Sequence, residues 1–228
     1  MLTQPWQVKK FESRAFFSFH TVNAWEEDAD NKDNEAVDIV CELAEFKNMD
    51  ILYRFYYENL VSDQPGVGQR NIEMDAPRLA RYRLTDVPIK GISLKSRGQA
   101  ERIMYVMGGD LPRINPHYAL KPHRYVYTVL DRGHSSFVDG IGKTDMVTQE
   151  TTVWEHPRHT PGEPIFVPAP GNGREEDDGV ILSVVLDGDA GASYLLCLDA
   201  RTMKEFGRAL VGVPVGFGFH GAHLPASR

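Results

Sequence analysis

Two stretches of the sequence repeat each other at a nearly constant step, and this repeat narrows the folds open to the chain. Residues 125–131 (YVYTVLD) parallel 181–187 (ILSVVLD), Ser136-Phe137 parallels Ser193-Tyr194, and Lys143-Thr144 parallels Arg201-Thr202, at steps of 56, 57 and 58 residues. The downstream copy is the clearer one. Residues 180–186, 193–198 and 204–211 are β-rich runs separated by the turn-like stretches 187–191 (DGDAG) and 199–202 (DART), which together read as a β-meander. A small sheet recurring at such a step is the mark of a β-propeller blade. A chain of 228 residues holds at most about four such units, whereas rings close with about four to eight. The expectation is therefore an all-β fold with short helices, built as part of a ring. Residues 178–211 should form one blade and 122–154 should supply strands to its neighbour. Helix is sparse: in residues 50–60 (DILYRFYYENL) the apolar positions 51, 52, 55, 56 and 60 predict one short helix.

Charge and composition exclude several classes. With 25 basic and 32 acidic residues the net charge is −7, a poor match for a phosphate backbone, so no nucleic-acid partner is expected. No run of about 18 apolar residues exists, so no membrane-spanning helix is predicted, and MLTQPWQVKKFESR at the start lacks the apolar middle of a secretory signal. Cys41 and Cys197 are the only cysteines and sit in apolar stretches, which points to reduced thiols in the cytoplasm and rules out a disulfide framework or a cysteine zinc site. Three polar, Pro- or Gly-bearing stretches (62–78, 108–122 and 156–164) read as loops on a rigid scaffold, where binding residues concentrate. None resembles a disordered linker, so residues 1–228 are read as one domain.

Eight histidines are the main candidates for chemistry: 20, 117, 123, 134, 156, 159, 220 and 223. HExxH, paired CxxC, GxSxG and P-loop motifs are all missing. The acidic run Glu175-Glu176-Asp177-Asp178 does not have the spacing of an EF-hand loop and reads as a turn entering a strand. His20 and His220 stand apart by setting. His20 follows Phe16-Phe17-Ser18-Phe19, and His220 lies in Gly216-Phe217-Gly218-Phe219-His220-Gly221. An imidazole in such surroundings is either a neutral, hydrogen-bonded core group or a metal ligand.

FFSFHTVNAWEE (16–27), DAPRLARYRL (75–84), GGDLPRINP (108–116), GEPIFVPAP with EEDDGVILSVVLDG (162–188), SYLLCLDARTMKE (193–205) and GFGFHG (216–221) together resemble, in order and spacing, the carotenoid cleavage oxygenases. The resemblance implies a seven-bladed β-propeller, of which this chain would be the carboxy-terminal part, and an axial ferrous iron held by four histidines. It implies a non-haem iron(II) dioxygenase that uses dioxygen to split a conjugated double bond in an apolar polyene (a carotenoid or apocarotenoid) or a stilbene, giving two carbonyl products. Members often carry an apolar patch for peripheral membrane contact. Position by position, His20 matches the third ligand and His220 the fourth. Asp110 falls where relatives place a glutamate that supports the last histidine, and being one methylene shorter it would need a bridging water or a shifted loop to do so. Arg78 falls where a further supporting glutamate is expected, and an arginine cannot accept from a histidine. The other six histidines are read as solvated or turn residues. The segments of the first two ligands have no counterpart here. The competing expectation is accordingly a non-catalytic propeller fragment that binds no metal by itself.

Overall fold

The computed structural model of the protein describes residues 9–29, 36–62, 76–88, 98–172 and 175–224. They form three sheets that follow one another along the chain. The first contains β1 (Phe11–Glu12), β2 (Thr21–Asp28), β3 (Ala36–Glu45), β4 (Arg78–Pro88) and β5 (Gly98–Met107), in the order β1-β5-β4-β3-β2. The second runs β6 (Asp110–Arg113), β7 (Tyr125–Leu130), β8 (Gly140–Asp145) and β9 (Thr151–Glu155) in sequence order. In the third, β10 (His159–Pro161) and β11 (Ile165–Pro168) both pair with β12 (Gly179–Asp187), which is followed by β13 (Ala192–Asp199) and β14 (Glu205–Leu210). Apart from the short parallel β1–β5 contact, all pairings are antiparallel. Each sheet is a blade, and the three make a partial propeller. The first blade is the irregular one, because the inserted stretches 46–77 and 89–97 separate its strands; most of the expected 62–78 loop lies outside the described residues.

The repeat marks the blades correctly, but its register is off by one or more residues. Tyr125 pairs with Asp145 and Val180 with Asp199, so the strands match at a step of 55. At that step Val126 matches Ile181, both fully buried, and Thr128 matches Ser183, both buried hydroxyls. The turns after β8 and β13 match at a step of 54. Gln149 N–H bonds to Asp145 O and Met203 N–H to Asp199 O, and both Gln149 and Met203 have positive φ. Ser136-Phe137 lies ahead of β8, so its apparent likeness to Ser193-Tyr194 does not correspond to a shared strand position.

Two apolar layers join the blades. Leu79, Val106, Val126 and Met146 fill the space between the first and second. Tyr127, Ile141, Trp154, Phe166, Ile181, Val185, Leu196 and Leu198 are among those that fill the space between the second and third. Truncating one of these, such as Ile181, to alanine would cost about 2–5 kcal/mol. The acidic run is a clasp across the second layer. The Glu176 carboxylate accepts from the N–H groups of Arg124 and Tyr125 at 2.8–2.9 Å, Asp177 takes the buried Lys143 ammonium at 2.6 Å, and Lys143 also donates to Arg201 O.

The single helix predicted for 50–60 is two one-turn pieces, α1 (Ile51–Arg54) and α2 (Tyr57–Leu60). Tyr56 is extended (φ −63°, ψ 137°) and interrupts the ladder. Helices this short gain little from their own hydrogen bonds, so side-chain packing decides the path. The break turns Phe55 inward, within 5.8 Å of the Phe19 ring and 5.9 Å of the Phe137 ring.

Candidate metal and substrate site

His20 lies one residue before β2, where its carbonyl accepts from Ala44 N–H at 3.0 Å and Phe17 bridges Phe46. Its Nδ1 is 2.7 Å from Asp110 Oδ1. Asp110 opens β6 and pairs with Val129 of β7. The residue before it must be glycine, since a Cβ on Gly109 would lie 1.8 Å from Val129 O. Asp110 therefore serves His20 by a direct bond, in place of the expected partnership with His220. Arg78, in β4 opposite Glu45 and Met107, takes no part.

His220 belongs to the strand-free segment 211–224, and its Nδ1 lies 3.1 Å from Glu163 Oε1. Glu163, between β10 and β11, is only 6% exposed. It receives a fork from Arg113 (2.7 and 3.0 Å) and the Gly221 N–H (2.8 Å), and Arg113 also donates to Gly221 O. Sequence reasoning missed Glu163. The only signals were its place in GEPIFVP and a compatible charge at Arg113.

Burial alone would raise the Glu163 carboxyl, but Arg113, Gly221 N–H and His220 outweigh it and hold it below the ordinary range. The Asp110 hydrogen bond raises His20 above the usual imidazole value, against the opposing effect of burial. Both carboxylates act on Nδ1, so each ring keeps its proton there and presents the Nε2 lone pair, as an oriented metal-ligating imidazole does.

The two rings, 200 positions apart in sequence, have centroids 5.1 Å apart at 75°. With metal–nitrogen bonds of about 2.1 Å, two imidazoles on one ion place their centroids about 4.6–5.3 Å apart. The pair thus fits as two ligands of a shared ion. Among the described residues no group of three or more His, Cys, Asp or Glu surrounds a common point. The rings border a cavity of about 240 Å³ lined by Phe19, Phe55, Phe137, Phe217 and Phe219. Those five form a chain of ring contacts 4.7–5.9 Å apart.

Two of the histidines read as solvated or turn residues are buried. His123 lies with Nε2 2.9 Å from Glu42 Oε2, its side chain fully enclosed, against Trp25 and Asn23. His159 is 4% exposed, between His156 and Tyr194. Neither approaches the axial pair. Cys41 and Cys197 are free and half-buried, with burial pushing both thiols up.

A sequence profile of the retinal pigment epithelial membrane protein family matches residues 2–225. The chain is 40% identical over 235 residues to a carotenoid dioxygenase of Neurospora crassa, covering 97% of this chain and 38% of that protein. It is 40% identical over 232 residues to a torulene dioxygenase of Fusarium fujikuroi, covering 96% and 40%. Cobalt-substituted apocarotenoid oxygenase from Synechocystis superimposes with a TM-score of 0.70 at 24% identity, over 96% of this chain and 41% of that one. The chain spans about two fifths of the length of each of these proteins.

Proposed function

The chain belongs to the retinal pigment epithelial membrane protein family, and from that premise we propose that it is the part of a carotenoid- or apocarotenoid-cleaving dioxygenase that supplies two of the histidines of a ferrous iron centre. One observation carries this reading: His20 and His220 meet at 5.1 Å, each fixed at Nδ1 by a carboxylate from a different blade, beside an aromatic cavity. The names of the Neurospora and Fusarium relatives favour a carotenoid over a stilbene.

A ferrous ion bound there would supply the redox chemistry by which dioxygen cleaves a conjugated carbon–carbon double bond into two carbonyls. The protein's share is geometry and polarity. Asp110 and Glu163 keep protons on Nδ1 and so keep the Nε2 lone pairs available. The five phenylalanines offer flat, apolar faces to a polyene. Met49, Tyr53, Tyr56 and Tyr57 are exposed on and beside α1 and α2, next to Phe55. They suit peripheral contact with a membrane that stores an apolar substrate. Among the described residues no helix is long and apolar enough to cross one.

Because two nitrogens are half of the implied ligand set, the 228-residue chain alone holds ferrous iron weakly and does not turn over carotenoid. The test replaces the matching segment of the Neurospora carotenoid dioxygenase with this chain, loads iron anaerobically, and follows bound metal and aldehyde products. The expected result is an active chimera that loses both iron and turnover with His20→Ala or His220→Ala, and keeps both with His134→Ala. An active, iron-replete chimera that tolerates His20→Ala would overturn the assignment.

A further inference from the structure

The turn between β9 and β10 brings together three lone-pair atoms that are unrelated to the axial pair. His156 Nδ1 and His159 Nδ1 are 2.9 Å apart, and both face Pro157 O, at 3.3 and 2.8 Å. The ring centroids are 4.0 Å apart at 58°. Between these residues Arg158 adopts a left-handed φ of 61°. Its carbonyl is held by Gly188 N–H and its guanidinium by Asp189.

A neutral His159 satisfies this arrangement poorly. A single N–H on His159 can point at Pro157 O or at His156, but it leaves the His159 Nε2 lone pair aimed at a carboxylate. That Nε2 is buried, lies 3.5 Å from Asp187 Oδ2, and has no hydrogen-bond partner of good geometry. A cation on the Nδ1 side resolves both faults, because it takes the three lone pairs and leaves the ring proton on Nε2, facing Asp187. This is the carboxylate–histidine–metal relay that orients bound imidazoles in general. Two nitrogens 2.9 Å apart subtend close to a right angle at an ion with bonds of about 2.1 Å.

We propose that His156, His159 and the Pro157 carbonyl form a binding site for a borderline divalent transition-metal ion such as zinc, with Asp187 orienting His159. Two imidazole donors favour this class over magnesium or calcium, which take oxygen ligands. Three ligands from one turn leave the remaining positions to water. The bound ion staples the β9–β10 turn, and through Asp187 it ties that turn to the one between β12 and β13.

The test titrates zinc chloride into the 228-residue chain carrying His20→Ala and His220→Ala, which silences the axial pair. One equivalent of zinc should bind and raise the melting temperature, as any ligand of the native state does. Adding His156→Gln, at an exposed position, should abolish both effects. Asp187→Asn should weaken binding by about 10–100-fold. It keeps the Oδ1 bonds to Asp189 and Ala190 N–H, so the turn itself survives. Zinc binding that His156→Gln leaves intact, or none in the folded double variant, would overturn the proposal. If the double variant fails to fold, the unmodified chain decides: His156→Gln should remove one bound equivalent, and removal of none overturns the site.

Discussion

The second and third blades follow one plan until they reach the axis, where each orients its histidine by a different device. Both have the same turn after the matching strand, with a left-handed residue at Gln149 or Met203, and both bury a hydroxyl at the same place, Thr128 or Ser183. In the second blade Asp110 is itself part of the β6–β7 ladder, so a single bond to His20 is enough to aim the ring. In the third, neither Glu163 nor His220 lies in a strand, and a network does the work. Arg113, reaching over from the second blade, binds both the carboxylate and the Gly221 carbonyl. A histidine carried near a sheet inherits its rigidity, whereas one carried on irregular chain has to be tethered.

The contrast is broken most severely by Gly109→Ala. The added methyl meets Val129 O inside the ladder, so we expect a loss of about 3 kcal/mol or more and a melting temperature lower by about 6–12 °C. An unchanged thermal melt would mean that Asp110 is not pinned by the sheet. Arg113→Ala should act more locally. Leaving the buried Glu163 carboxylate without its fork costs about 1–3 kcal/mol, read as about 5- to 150-fold faster amide exchange at Gly221. Ala44, whose amide bonds to His20 O, should exchange as before; equal acceleration at both amides would erase the distinction.

Asp110→Asn should sit below these in its effect on folding, shifting stability by less than about 1 kcal/mol, while reducing iron retention in the chimera by about 10–100-fold. Glu163→Gln should lower iron retention and Gly221 protection together. The smallest effect concerns the twin turns in acid. Arg124, with help from the amides of Val147 and Thr148, pulls Asp145 down to about 2. Asp199 is lowered as well, its burial being outweighed by Thr202 and backbone amides. Carboxyls depressed in the folded state contribute fully above their ordinary value, near 4, and lose that contribution as pH falls towards the folded value. Amide exchange at Met203 should therefore accelerate at a higher pH than at Gln149, and the reverse order would show that Arg124 does not set the difference.

The blades were legible because apolar strands and Gly- or Asp-rich turns recur. Their register was not, because strands packed between blades are buried on both faces. Val126 and Tyr127 are neighbours and both fully buried, so the period-2 signal that fixes register is lost. His20 and His220 were marked by their aromatic and glycine-rich settings. Their carboxylate partners were not, since Asp110 and Glu163 lie 90 and 57 positions from the rings they hold and nothing local says which meets which. His123 and His159 looked solvated because proline-rich composition suggests surface. Partners distant in sequence, Glu42 and Tyr194, bury them instead.

The distance between His20 and His220 along the chain has a consequence during synthesis. At about 5–20 residues per second, some 10–40 s separate the appearance of the first ring from that of the second. For that interval Asp110 and the first two blades can already be in place while the nitrogen that completes the pair has not yet been made. An ion held by both rings could therefore be acquired only once the segment bearing His220 has docked onto Glu163.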